Sequence, residues 1–585
     1  MFKLLKYLSK RQWLMICISI LCIVAQVFLD LTLPGYMADI TKLVETEGSH
    51  VPQILNAGSR MLLCALGSFI SAICVIGLSS RIAAGFSKKL RELQFNQVES
   101  FSMEEINRFS TASLITRSTN DVTQVQMIIA FGLQALVKAP IMATWAIVKI
   151  AGKGVQWTMA TAVAVLVLVL MIGIMVTFAV PKFKKVQGLT DNLNRVTREN
   201  LTGLAVVRAY NAESYQQEKF EKANTELTDT NQFIYRIMAM MQPGMSAIMS
   251  GLSLSIYWIG AFLINAASMA DRITLFSNMV VFISYAAQVV MSFMMLSMIF
   301  LMLPRASVAA KRILEVIETK PKLVDGQEQT GLQEEKGEIE FKDVSFRYPD
   351  ASGYALQHVS FAAHKGETVA FIGATGSGKT TLVNLALRFY DPTEGKILVD
   401  GKDSRAYTQE SLHEKFGYVP QKSVMFSGDI SSNVVYGDSR GGNLQQDAME
   451  EAVEVAQAVD FVNAGQGGFE RHVAQGGTNL SGGQKQRISM ARAIYRDAEI
   501  YVFDDALSAL DYRTDRLVRT ALRDKKQTAT MLIVAQRIGT IRNADRIIVL
   551  DKGNVVGIGT HEELMKDCAI YQEIALSQLS KEELS

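Results

Sequence analysis

Asp504 and Asp505 close an apolar run, Ile500–Phe503, in the stretch YVFDDALSALD. A carboxylate at the end of a buried strand can hold Mg2+. A second carboxylate directly after it stands where a nucleotide hydrolase needs a general base, and aspartate is short for that work. The residues that give this pair a purpose lie upstream, in TVAFIGATGSGKTTLV (368–383). There a β-branched apolar run ends at Gly373, a Gly-x-x-x-x-Gly-Lys-Thr segment runs to Thr380, and a helical pattern follows. Glycines at this spacing let backbone N–H groups wrap a phosphate, and the helix N-terminus adds partial positive charge. Gly373, Thr375, Gly376, Ser377, Gly378 and Thr381 are read as the cradle. Lys379 is expected to reach the terminal phosphates and Thr380 to offer its hydroxyl to Mg2+.

Two further segments fit this chemistry. Tyr348, in FRYPD, stands where a ring could stack on adenine, although packing is the commoner role for such a tyrosine. NLSGGQKQRISMARAI (479–494) opens a helix with Ser481, Gly482, Gly483 and Gln484, and free N–H groups there suit an anion. The chain already has one phosphate loop, so this spare anion site points to a phosphate bound on another polypeptide.

The elements that must position these residues divide the 585-residue chain in two. The first half holds six apolar stretches, about 13–34, 58–80, 128–150, 157–180, 242–266 and 275–303, each near the ~20 residues that a helix needs to cross a bilayer. Lys3, Lys6, Lys10 and Arg11 precede the first stretch, whereas Asp39, Glu45 and Glu47 follow it, which places the N-terminus in the cytoplasm. No cleavable signal is expected. The second and fourth connections are then cytoplasmic, long and basic, and read as helical extensions of the membrane spans. Residues 1–319 form the expected membrane domain, 320–338 a polar linker, and 339–585 a nucleotide-binding domain. A net charge of +2 gives no general attraction to nucleic acid. The five cysteines lack disulfide or metal spacing and read as reduced thiols.

Together these residues resemble the ATP-binding cassette (ABC) transporters. The phosphate loop, Gln421 in YVPQKSVMFSG, the signature LSGGQKQR, the acidic strand end and SALD (508–511) occur in family order. Asn120 and Asp121 fit the first inner loop of the exporters, and ENLTGLAVVRAYNAE fits the second. The resemblance implies a six-helix all-α membrane domain of the type IV exporter arrangement, fused to an α/β phosphate-loop cassette in the bacterial plasma membrane. It implies ATP and Mg2+ as cofactors, with Thr380, Gln421 and Asp504 on the metal. Two cassettes would sandwich two ATP molecules, each between one chain's phosphate loop and the other's signature, with Asp511 in communication across the dimer. Coupling helices are expected near 108–121 and 205–215.

Departures from the family pattern shape the functional expectation. The family's general base is a Glu, and here it is Asp505; a carboxylate misplaced by ~1 Å can cost ~10²-fold in rate. The switch position, usually His, is Gln536, which can hydrogen-bond a phosphate but cannot ionise. Gln475 replaces a Glu before the signature. The chain therefore resembles the degenerate-site subunit of a heterodimeric bacterial exporter, whose non-identical partner half-transporter supplies Glu and His. A homodimeric lipid or drug exporter with slow ATPase, and an ATP-binding membrane regulator that does not pump, are the alternatives.

The cargo is less legible. Twelve of the 27 methionines fall between Met238 and Met302, which suits either a promiscuous cavity for hydrophobic multidrug-type substrates or ordinary packing against helices and membrane lipid. Phe282, Tyr285, Phe293 and Phe300 could add aromatic contacts, although packing is the ordinary role for each. Asp30 and Lys138 are ionisable residues in or near membrane spans, where charge usually faces a cavity or a partner. No peptidase domain is expected before the first span, which disfavours a peptide-processing exporter.

Overall fold

The computed structural model describes residues 2–45, 51–151, 154–437, 446–464 and 467–578. The chain forms two compact units, Met1–Glu99 with Ser110–Thr319, and Ser100–Phe109 with Lys320–Ser585.

Among the described residues, six helices of the first unit are long and apolar enough to cross a membrane. Lys10–Glu45, Val51–Glu99, Val155–Thr202 and Met269–Glu318 are continuous, and Pro34 and Pro181 lie inside two of them. Proline is tolerated in membrane helices because neighbouring groups satisfy the freed backbone. The outward faces are apolar: Leu21, Leu63 and Leu166 are each more than half exposed. In water such a surface would aggregate, whereas in lipid it is the solvated face. Packing between helices uses Ile23, Val27, Leu31, Trp157, Phe282 and Tyr285. Phe282 and Tyr285 were expected as possible cargo contacts. Here Phe282 is fully buried against Trp157, and the Tyr285 hydroxyl donates to the Leu31 carbonyl at 2.9 Å. An aromatic hydroxyl buried among helices is satisfied by a backbone acceptor, and this one ties two spans together. The side chain of Phe300 lies outside the described set.

Asp30 and Lys138 meet. Lys138 Nζ is 3.4 Å from Asp30 Oδ2, and Ser68 Oγ donates to Asp30 Oδ1. Three helices thus share one ion pair. The Asn120–Asp121 segment forms a π-helical turn, Arg117–Asp121, braced on the helix Met269–Glu318 by Arg117–Glu315 at 2.7 Å and Asp121–Arg312 at 3.2 Å. The second patterned segment folds as a short helix, Leu204–Ala209, and a turn with Asn211 at φ 50°, leaving Tyr210 79% exposed.

Among the described residues the second unit contains two larger sheets and a two-stranded pairing of Gly428–Asp429 with His472–Val473. A six-stranded sheet has the order Asn554–Gly559, Arg546–Asp551, Thr368–Ile372, Thr530–Val534, Ile500–Asp504, Phe416–Val419. Its strands are parallel except Asn554–Gly559. Buried on both faces, parallel strands read as unbroken apolar runs rather than alternating ones, and all five residues of Ile500–Asp504 are buried. Each fully buried Ile, Val or Phe there contributes ~1.5–3 kcal/mol relative to exposure. A second, antiparallel sheet joins Leu356–Ala363, Ile339–Phe346, Glu394–Val399 and Lys402–Asp403.

Two assignments shift. Of the first inner connection, where a coupling helix is expected near 108–121, the short helix Met103–Phe109 groups with the second unit, and the residues from Ser110 onward belong to the membrane unit. Glu105 holds its start by accepting from Ser102 N and Oγ, and Asn107 Nδ2 donates to Tyr390 Oη at 3.0 Å. Residues 320–338, polar enough to read as a linker, lie along the cassette. Gly326 N donates to Tyr407 O, Leu332 N to Asp400 O, and the buried Arg388 guanidinium donates to Val324 O. Backbone bonding, invisible in composition, holds this segment.

Candidate nucleotide site

The phosphate loop follows the strand Thr368–Ile372 and ends in the helix Lys379–Ala386. Gly376 and Gly378 have φ of 84° and 102°. At Gly378 an added Cβ would meet Leu356 Cδ2 at 2.6 Å, so conformation and space both require glycine. Lys379 Nζ donates to Gly373 O at 2.6 Å and Ala374 O at 2.8 Å, curled over the loop it serves. Burial draws the Lys379 pKa down, and the charges of Asp505 and Asp504 oppose it. Thr375 and Ser377 complete the loop, with Ser377 Oγ 3.3 Å from Lys379 Nζ.

Parallel register brings the loop to the aspartates. Thr530–Val534 lies between Thr368–Ile372 and Ile500–Asp504, pairing Val534 with both Phe371 and Asp504. Thr380 Oγ1 thereby stands 3.4 Å from Asp504 Oδ1. Burial pushes the Asp504 carboxyl up to about 6, with Thr380 and Lys379 opposing. Asp505 follows with φ 49°, a left-handed conformation that aspartate tolerates. Its Oδ2 accepts from Gln536 Nε2 at 2.7 Å and from Gln421 Nε2 at 3.3 Å. Its Oδ1 is buried without a hydrogen-bond partner. Burial raises the Asp505 pKa, and its amide bonds and Lys379 oppose the rise.

An orphaned carboxylate oxygen, a lysine bonded among the described residues to neutral oxygens and a nest of backbone amides suit an incoming phosphate and its cation. Asp504, Thr380 and Gln421 are hard oxygen donors, too few to hold Mg2+ without phosphate and water oxygens. Among the described residues no group of three or more His, Cys, Asp or Glu forms a metal cage.

Tyr348 sits at the other side of the loop. Its hydroxyl is 3.1 Å from Thr381 Oγ1, and its ring packs edge-on to Phe346 and Tyr390. Asn107, Tyr390, Tyr348 and Thr381 therefore form one chain of contacts from the helix Met103–Phe109 to the phosphate-loop helix.

Ser481–Gln484 do not join this cluster. They start the helix Gly482–Tyr495 with a capping box: Ser481 Oγ accepts from Gln484 N and Gln484 Oε1 from Ser481 N. Nothing lies within 4 Å of a Cβ placed on Gly482, so the first turn is open. Asp511 caps the helix Tyr512–Lys525 through Thr514 N and Oγ1, and those bonds hold its pKa low. Gln475 begins a short 3-10 turn.

Sequence reading missed two connections. Gln486 joins the signature helix to the Gln421 loop, accepting from Ser423 Oγ at 2.5 Å and donating to Pro420 O at 3.3 Å. Gln578 bonds Gln536 O and Ile538 N, so the helix Ala569–Gln578 steadies the Gln536 segment. A glutamine inside LSGGQKQR offered a hint of the first. Nothing local marks the second.

A six-helix membrane unit and a parallel-sheet cassette with this loop define a membrane transporter driven by a nucleotide. The family description "ABC transporter" matches residues 356–508, and "ABC transporter transmembrane region" matches residues 16–293. An ABC transporter ATP-binding protein of Mycobacterium tuberculosis is 39% identical over 90% of this chain and 88% of its own length. An ATP-dependent lipid A-core flippase of Saccharophagus degradans is 33% identical over 68% of this chain and 65% of its own. The fold matches that of a bacterial Atm1-family ABC exporter with ATP bound, with a TM-score of 0.80 at 24% identity, covering 96% of this chain and 97% of that one. The chain belongs to the ABC transporters and has the fold of their exporters, with membrane helices and cassette in one polypeptide. Membership implies ATP binding, with Mg2+ as its usual companion.

Proposed function

We propose that this chain is the degenerate-site half of a heterodimeric exporter for hydrophobic or amphipathic compounds. The observation that carries the reading is the state of Asp505: its Oδ2 is held by two glutamine amides, with Gln536 the nearer at 2.7 Å. A general base must reach the attacking water, and a short carboxylate bound to an amide that cannot ionise is poorly placed to take and pass a proton. On this reading Gly373–Thr381 bind ATP, with Tyr348 beside the base. Asp504, Thr380 and Gln421 hold Mg2+, which neutralises phosphate charge when bound. The open turn at Ser481–Gln484 serves the ATP on the partner's loop, and Asp511 carries the signal between sites. The partner supplies the missing Glu and His.

The lipid A-core flippase among its relatives favours amphipathic lipid-like cargo alongside multidrug substrates. The apolar surface of the spans suits cargo taken from the inner leaflet or the cytoplasm. The cassette is assigned to the cytoplasm by the basic residues flanking the spans. The test is ATP turnover by the purified chain alone and with a co-expressed half-transporter bearing Glu and His. Robust turnover is expected only from the pair, with slow residual turnover from the chain alone. Equal, substrate-stimulated turnover by the chain alone would replace this reading with a homodimeric exporter.

A further inference from the structure

The cassette also holds a partly polar cavity, of about 510 Å³, that the nucleotide site does not use. One wall is the helix Tyr512–Lys525, where Arg516, Arg519 and Arg523 line the cavity from one face. Arg542 lines it from just beyond the short helix Ile538–Ile541. Apolar side chains, Phe503, Leu507, Met531 and Ile533, complete the lining.

Charge is left over in this cavity. Asp515 engages Arg519 through two bonds, at 3.0 and 3.1 Å. Among the described residues Arg523 donates to the neutral Asn543 carbonyl, at 3.4 Å. Two acids next to the lining are occupied: Glu367 holds Arg546, and Asp545 accepts from Thr368 N. Among the described residues no carboxylate pairs with Arg516, Arg523 or Arg542. Guanidinium groups gathered without counter-charge repel one another, and a planar five-donor fork matches phosphate oxygens in a two-pronged way.

We propose that this cavity binds a small phosphate-bearing anion, polyphosphate or phosphorylated metabolite, and that its occupancy regulates the nucleotide site. The volume falls within the range of small-molecule sites. The cavity also touches the segments that carry the catalytic positions. Phe503 precedes Asp504, Leu507 follows Asp505, Tyr512 follows Asp511, and Gly539 and Thr540 follow Gln536. Thr540 Oγ1 already bonds Asp515, the partner of Arg519, at 3.2 Å. An anion bridging Arg516 and Arg542 would draw the helix after Asp511 toward the segment after Gln536. Binding here stands independently of how the nucleotide site is read, whereas the effect on turnover rests on that reading.

The test uses the full-length chain in lipid nanodiscs with Lys379→Ala, which removes the phosphate-loop lysine as a competing anion partner. Inorganic pyrophosphate and AMP are titrated calorimetrically. Saturable pyrophosphate binding is expected, weakened at least ~10-fold by R516Q/R542Q and less by R516K/R542K, which keeps charge but loses the fork. Tighter binding of AMP would assign an organic group to the apolar lining, and tighter pyrophosphate binding would assign the site to inorganic polyphosphate. Retained thermal stability and retained ATP binding by R516Q/R542Q with Lys379 intact would show that the variant folds. Absence of saturable binding, or equal affinity in R516Q/R542Q, would overturn the proposal.

Discussion

Replacing Asp505 with Glu tests the reasoning about the nucleotide site most directly. The Asp505 backbone is pinned: its N–H donates to Val534 O at 3.0 Å, and its carbonyl accepts from Ser508 Oγ at 2.7 Å. An added methylene must therefore advance the carboxylate, by about 1 Å or more, rather than push the loop back. Misplacement on that scale is worth ~10²-fold in rate, or about 2.7 kcal/mol of barrier. D505E alone is expected to raise turnover by ~10- to 10²-fold, because Gln536 still offers an amide that can hold the longer carboxylate. D505E/Q536H should gain further, since imidazole can ionise where the amide cannot. Q536H alone should gain little, with the base still short. The assay is phosphate release by the chain alone in nanodiscs at saturating Mg·ATP, with nucleotide affinity measured in parallel. If D505E/Q536H binds ATP as the native chain does and yet hydrolyses it less than about threefold faster, the shortened base is not what limits this site.

Other consequences follow from the same geometry. Tyr390→Phe removes the acceptor of Asn107 Nδ2 while keeping the ring against Tyr348; ATP affinity should hold, and substrate stimulation of ATPase activity by the assembled transporter should fall. Burial lowers the His413 pKa, and its Nε2 stands 2.9 Å from the Leu387 carbonyl. Its contribution to stability is therefore fully present above the unfolded value of about 6.5 and is lost as pH falls toward the lower folded value. Thermal denaturation of His413→Gln should show a shallower loss between pH 6.5 and 5 than the native chain. Lys138→Ala leaves Asp30, about one-fifth exposed, with only Ser68; a loss of ~1–3 kcal/mol is expected in detergent unfolding, and D30N/K138Q should recover most of it.

What could be read from the sequence was local. The span of each membrane helix follows from apolar length, and the loop at Gly373–Thr380 follows from glycine spacing that backbone sterics demand. The burial of Asp504 follows from the unbroken apolar run before it. These depend on residues within one turn or one strand of each other.

The rest required distant segments to meet. Parallel register of Thr530–Val534 against two other strands, and the loop after Val419, bring Gln421, Asp505 and Gln536 to one oxygen. No local pattern encodes that meeting, in which both glutamine amides donate to the Asp505 carboxylate. Phe282 and Tyr285 went to packing because the helices that surround them, not their own types, decide what they face. Residues 320–338 became part of the cassette because their backbone groups found partners at Asp400 and Tyr407. The arginines at 516, 519 and 523 share one helix face, and only the fold brings Arg542 to the same cavity. By itself the sequence determined which residues could handle phosphate. The tertiary structure decided which of them share a site, because hydrogen bonds and charge act over a few ångströms while the chain separates their donors and acceptors by many residues.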